Sequence, residues 1–414
     1  MQRSRTLQND RISVKKIEKT LFFIMMWVFF SLNSRYLRIP VPYILRWLFL
    51  GALIGCALLI DGVKIGEPPK LLILFLLAVL PSVFYSNDKM ESLIKILSLV
   101  IVLWGTYIYF NSLESLEDLE IAAKTILWIA ILFELQSVGC LLLGLGNGDR
   151  ATGVTTNPNT LGIYSNISVL AAAYLLPKAK TKRGKWGFFF IIIASAVTAI
   201  MSGSRTALVA LAFNGVIVAF IKIKKPIYRL AFAVFMTTFA VLLLTGRLGT
   251  FGLKSLERLL EGDTSRGEIW ELGIDVWKRF PVFGCGYSVS ASYNDMKGME
   301  NYDFHNSYIT ILAEVGIWGS ALLLIGVFFV FKGAWKTNMV KGQMSIIQIA
   351  VIMALELMLA AWSESFMFAV GSTEACLFWV LIAWIIAYKK KAAKAAKEEA
   401  LYVEQEETLR SDNL

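Results

Sequence analysis

The chain has 414 residues, of which 57% are hydrophobic and 17% charged, and its mean hydropathy is +0.61. That composition excludes a soluble globular domain: apolar segments of roughly 15 to 25 residues, each able to cross about 30 Å of hydrocarbon as a helix, recur along nearly the whole length. The formal charge of +10 does not point to nucleic acid, because the lysines and arginines gather in short loops between apolar segments, where the positive-inside rule accounts for them.

The chain opens with the basic stretch MQRSRTLQNDRISVKKIEK, residues 1–19, which has no small-residue cleavage site and reads as a cytoplasmic tail. Residues 20–245 then carry apolar segments near 20–34, 42–60, 70–86, 92–110, 121–145, 160–177, 186–201, 205–221 and 228–245, read as spans 1–9. A large loop follows over residues 246–306. Residues 307–388 add three segments, near 308–331, 344–362 and 374–388, and residues 389–414 form a charged cytoplasmic tail. The expected fold is an all-α polytopic membrane protein of about 12 transmembrane helices, with one large extracytoplasmic loop carrying short helices. From a cytoplasmic N-terminus, alternation places PKAKTKRGK (177–185), IKIKKPIYR (221–229), FKGAWKTNMVKG (331–342) and the KKKAAKAAK tail inside, all rich in lysine. It places GNGDRATGVTTNPNT (146–160), SGSR (202–205), the large loop and ESFMFAVGSTE (364–374) outside. No internal repeat of the kind common in transporters is visible.

Within the large loop, DTSRGEIWELGIDVWKRFP (263–281) predicts a short amphipathic helix lying on the membrane surface or over a cavity. Ser265 and Glu268 have capping-box spacing, Trp270, Ile274 and Trp277 share one face, and Pro281 ends the run. GCGY (284–287) is expected to be a flexible turn. The cysteines, Cys56, Cys140, Cys285 and Cys376, have no metal-ligand spacing and read as packing residues.

Chemistry concentrates on the outward side. Arg205 interrupts AIMSGSRTALVAL, where burying a guanidinium is costly unless it faces a protein interior or wet cavity; a snorkelling interfacial arginine is the competing reading. Arg150, in DRATG, reads alone as a solvated loop charge. Arg266 occupies the first turn of the amphipathic helix, where the dipole favours anions, so a bound phosphate would reconcile the cation with its position. His305 is the only histidine of the chain, and no other side chain titrates naturally near neutral pH as a general base; an amphipathic interface residue is its alternative. Asn306 beside it can donate and accept, which suits a sugar hydroxyl. No Asp-x-Asp pair, Walker A loop, CxxC pair or HExxH helix is present, so no metal or nucleotide cofactor is expected. A substrate already activated in the membrane, such as a lipid-linked diphosphate sugar, fits an outward-facing enzyme of this kind.

The stretch SRGEIWELGIDVWKRFPVFGCGY (265–287), followed by HNSYITILAEVGIWG (305–319), resembles the signature region of the O-antigen ligase and Wzy-type polysaccharide polymerase superfamily. His305, Asn306, nine residues and Gly316 match that family's His-Asn-x9-Gly pattern, and RATGVTTNPNTLG (150–162) and SGSRTALVAL (202–211) resemble its upstream motifs. The resemblance implies a GT-C-type membrane glycosyltransferase acting outside the cytoplasmic membrane on undecaprenyl-diphosphate-linked oligosaccharide. Carried over by motif, Arg205 and Arg266 would bind the donor diphosphate, His305 would deprotonate the acceptor hydroxyl, and Arg150 and Asn159 would line the same cavity. One departure is Gly319, where ligases of the family often carry threonine, and it favours a polymerase. Gly316 and Ser320 also have small-xxx-small spacing, so helix approach is a second reading of Gly316. A ligase handing finished glycan to another acceptor stays open, as does a lipid-linked oligosaccharide flippase, for which Glu134 and Glu356 are the intramembrane carboxylates. A chain-length regulator is a further partner for a polymerase.

Overall fold

The computed structural model describes residues 2–36, 41–61, 67–245, 247, 265–290, 292–293, 303–337, 344–369 and 371–411. Among these the architecture is helical, without a named strand: α1 (Gln2–Ser31), α2 (Val41–Asp61), α3 (Lys70–Val83), α4 (Lys89–Ser112), α5 (Leu116–Leu142), α6 (Pro158–Leu175), α7 (Lys182–Met201), α8 (Arg205–Lys222), α9 (Pro226–Leu244), α10 (Ser265–Arg279), α11 (Ser307–Phe331), α12 (Ile346–Ala360) and α13 (Thr373–Ser411). Every apolar segment anticipated from the sequence falls on a helix, most ends displaced by a few residues, but α1 begins at Gln2 and α13 runs to Ser411, so the charged stretches at both ends are largely helical too. By length and composition, six described helical segments can cross a membrane: Lys89–Ser112, Leu116–Leu142, Pro158–Lys178, Lys182–Met201, Arg205–Lys222 and Ser307–Lys336. Tyr43–Leu59, Lys70–Val83, Pro226–Phe239 and Ile346–Ala360 are apolar but shorter.

Helix starts follow local chemistry. Asp88, Ser115, Asn157, Thr181, Ser204 and Asn306 each accept a first-turn backbone N–H on a side-chain oxygen, and Ser345 with Gln348 completes a reciprocal capping box. The Cys376–Tyr388 part of α13 is apolar all round, as a helix enclosed by others must be: almost nothing in it is exposed, and Trp379 and Trp384 are wholly buried. Where α13 leaves this core, Lys389 donates to the carbonyls of Phe329, Val330 and Lys332, which terminate α11. Phe190, Leu48, Phe235 and Phe328 are exposed, as an outer surface in contact with lipid requires.

The intramembrane carboxylates bond helices to one another. Ser165 of α6 donates to Glu134 of α5 at 2.9 Å, and Asn214 of α8 donates to Glu356 of α12 at 2.9 Å. Both glutamates are buried, 1% and 0% exposed, and so line no open path.

The continuous helix expected over 308–331 is broken. Gly316 sits at φ +65°, ψ −170° inside α11, a conformation open to glycine and strained for any other residue. Normal helical bonding would carry Ile317 N–H to Ala313 O and Trp318 N–H to Glu314 O. Instead Ile317 donates to Pro281 O (2.9 Å) and Trp318 to Val282 O (3.1 Å), while Ala313 O and Glu314 O accept from Cys285 (2.9 Å) and Gly286 (3.1 Å). The segment 281–286 therefore occupies the gap, and these four backbone groups freed by the break are re-paired. A Cβ on Gly316 would strike the backbone of Val282 and Phe283. The small-xxx-small reading of Gly316 gives way to this break, and GCGY is no flexible turn. Gly284, at φ +76°, lies against the Glu314 backbone, and Tyr287 is buried with its hydroxyl donating to Phe368 O at 2.8 Å.

Candidate active site at four helix N-termini

The N-termini of α6, α8, α10 and α11 meet around the loop that joins α12 to α13. From α6, the Asn159 amide donates a short hydrogen bond to Glu364 Oε1. From α8, Thr206 shares a 2.7 Å hydroxyl contact with Ser363. From α10, Arg266 Nη2 lies 3.8 Å from Glu364 Oε1, and from α11 the Ser307 hydroxyl donates to Glu364 O at 2.6 Å. The Ser307 N–H donates to Ala361 O (2.8 Å) and Glu364 O (3.1 Å), and Asn306 N–H to Ser365 Oγ (3.0 Å), so backbone bonds fix the loop. Trp362 packs edge-on against Trp270 of α10, ring centroids 5.8 Å apart, and against Tyr308 of α11 at 6.2 Å.

The corner is electropositive by construction. Four helix dipoles present their positive ends; α6, α8 and α11 have no acid in their first turns, α8 begins with Arg205, and the first turn of α10 holds Arg266 together with Glu268. Arg150 reaches the same place from the α5–α6 loop. Its Nε donates to Ser202 O at 2.8 Å, at the end of α7, and its Nη2 donates to Asn159 Oδ1 at 2.5 Å. That bond orients the Asn159 amide so that its nitrogen faces Glu364. Arg205 is exposed at the first position of α8. Its position lies next to Thr206, which touches the loop.

His305 immediately precedes Asn306, the N-cap of α11, and has φ +48°, a left-handed conformation uncommon for a residue with a side chain. Its Nδ1 lies 3.9 Å from Glu364 Oε2, and the Glu364 carboxylate holds the imidazole above its ordinary range, against burial and the nearby Arg266 charge, which lower it. The His305 side chain is 40% exposed and that of Glu364 18%, so the imidazole is the more accessible of the pair. Asn306 is 1% exposed and its Oδ1 accepts the Tyr308 and Ile309 N–H groups, so this oxygen caps the helix and fixes where His305 stands.

Helix α10 packs through a face different from the one expected. Leu272 and Val276 are buried with Phe304 and Ala313, with Ile269, Trp277 and Phe280 at the margin, whereas Ile274 lies off this face. A tryptophan pattern pointed to the wrong side because Trp270 serves the Trp362 contact instead. The Ser265 side chain, and with it the anticipated capping box, lies outside the described residues, as do 248–264 and 294–302 of the large loop.

The sequence-nominated residues Arg150, Asn159, Arg266, His305 and Asn306 thus gather at one corner, with Arg205 at its edge. Glu364, which joins them, was missed: in WSESFMF it resembles any acid in a turn, and only the fold brings 159, 266, 305 and 364 together.

Residues 189–324 match the family model Wzy_C, described as O-antigen ligase. About a third of the chain is thus similar to the O-antigen ligase family. The matched stretch contains Arg205, Arg266, His305 and the Gly316 break, whereas Arg150, Asn159 and Glu364 lie outside it. No curated protein matches the chain.

Proposed function

We propose that the protein is a GT-C-type glycosyltransferase of the cytoplasmic membrane, with about twelve membrane crossings, both termini inside and the site on the outer face. It polymerises polyprenyl-diphosphate-linked oligosaccharide repeat units into surface polysaccharide. The observation that carries the reading is the joining, at one electropositive corner inside an O-antigen ligase-type chain, of a guanidinium able to take a diphosphate and the chain's single imidazole. The acceptor hydroxyl gives its proton to His305, its oxygen bonds the anomeric carbon, and the bond from that carbon to the diphosphate oxygen breaks. Polyprenyl diphosphate leaves with the electron pair. Arg266 and Arg205 bind the diphosphate and stabilise the charge that grows on it, and Arg150 positions Asn159 beside them. No metal or cofactor takes part in this scheme.

A ligase that transfers finished glycan is the second reading, and the departure at Gly319, where ligases of the family often carry threonine, does not exclude it. A Cβ there would lie 2.5 Å from Val315 and 2.7 Å from Ala78 O of α3, so close helix packing accounts for the glycine without reference to the acceptor. A deletion strain separates the readings. Surface or lipid-linked glycan confined to single repeat units identifies a polymerase, full-length glycan retained on polyprenyl diphosphate identifies a ligase, and glycan trapped on the cytoplasmic face contradicts both.

A further inference from the structure

We infer that Glu364 is the positioning residue of the reaction: its carboxylate grips His305 at Nδ1 and leaves Nε2 as the nitrogen that receives the acceptor proton. The inference rests on the glycosyl-transfer reading above. Glu364 has one oxygen for each task. Oε1 takes the Asn159 amide and faces Arg266, and Oε2 faces His305 Nδ1. The separation of 3.9 Å is longer than a hydrogen bond, as is common for catalytic contacts before substrate closes the site. The backbone that carries the carboxylate is fixed, because Glu364 O accepts both the N–H and the hydroxyl of Ser307, two residues beyond His305. The main-chain positions of imidazole and carboxylate are therefore tied to each other.

Exposure decides which member of the pair meets substrate. Glu364, at 18%, bonds Asn159 and faces Arg266, whereas the His305 side chain is 40% exposed and turns Nδ1, not Nε2, toward Oε2. An acceptor hydroxyl can thus reach Nε2, while a proton held on Nδ1 toward the carboxylate keeps Nε2 free as a base. The charged groups facing His305 are Glu364 from the α12–α13 loop, Arg266 from α10 and Asp303 from its own segment. Of these, Glu364 has the largest effect and raises the imidazole. A neutral residue at 364 should therefore lower the titration of His305 and remove its tautomer preference.

His305 is the chain's only histidine, so isotope-labelled histidine in protein purified through a histidine-free tag gives one imidazole spectrum, readable whether or not turnover is observed. In wild type the neutral ring should carry its proton on Nδ1 and titrate above about 6.5, the ordinary value. Glu364→Gln should shift the titration downward, move the acidic limb of the kcat profile to lower pH by the same amount, and reduce kcat about 10- to 100-fold with donor KM changed less. Glu364→Asp should restore the wild-type limb in part. A Glu364→Gln protein whose imidazole titrates as in wild type overturns the inference, and so does an Asp variant no better than Glu364→Ala. If Glu364→Gln does not fold, the Asp and Ala spectra decide by the same comparison. Should the spectra behave as expected while wild-type protein elongates no lipid-linked glycan, the glycosyl-transfer reading fails and the positioning contact stands.

Discussion

Replacing Gly316 by alanine tests whether the break in α11 is built into the fold. Alanine at φ +65°, ψ −170° carries about 1–3 kcal/mol of backbone strain. Its Cβ would also meet the backbone of Val282 and Phe283, which cannot swing aside as a side-chain tip could. Relief requires moving 281–286 outward and loosening the bonds at Ile317, Trp318, Cys285 and Gly286, each contributing about 1 kcal/mol net. The lesser of strain and displacement still places the loss at about 3 kcal/mol, or about 100-fold in the folding equilibrium. Unfolding of purified protein in nanodiscs measures it, with Gly51→Ala as control. Gly51 lies inside α2 with nothing within 4 Å of a new Cβ, so alanine there should be neutral or stabilising by up to about 1 kcal/mol. Equal stability of the two variants would refute the account of the break, because it would mean that 281–286 is not locked into α11.

Other outcomes follow from the corner where the helices meet. Asn306→Ala should cost about 1 kcal/mol through loss of the cap and should lower turnover by freeing His305, whereas Asn306→Asp should retain most of both; thermal unfolding and initial rates check the pair. Arg266→Lys should weaken donor binding and slow transfer, because a point charge cannot reproduce two-point diphosphate contact; unchanged KM and kcat would detach Arg266 from the donor. The pH dependence has a defined sign. His305 is raised in the folded protein, so as a base it gains activity as pH rises through that elevated value. The stability from its pairing with Glu364 is present below about 6.5 and lost over the same rise. Rate and unfolding profiles over this range report both.

The sequence revealed the elements whose cause is local. Apolar runs predict helices because a bilayer leaves the backbone no other way to satisfy itself. Arg266 and His305 were legible through chemical type and the motif around them. What stayed hidden depends on contacts between distant segments. Gly316 reads as a packing glycine until 281–286 is seen to replace its helical bonds, and Glu364 reads as a turn acid until α6, α10 and α11 surround it. The buried face of α10 was misjudged because tryptophans at helical spacing can serve a neighbouring loop, as Trp270 serves Trp362.

The most direct test of the whole account is turnover by purified protein in liposomes, supplied with a lipid-linked repeat unit on the face that carries His305. Wild type should yield longer glycans and release one polyprenyl diphosphate per linkage formed, and His305→Ala, though inserted and folded, should yield neither. Movement of the lipid-linked unit across the bilayer without elongation, or undiminished elongation by His305→Ala, would contradict it.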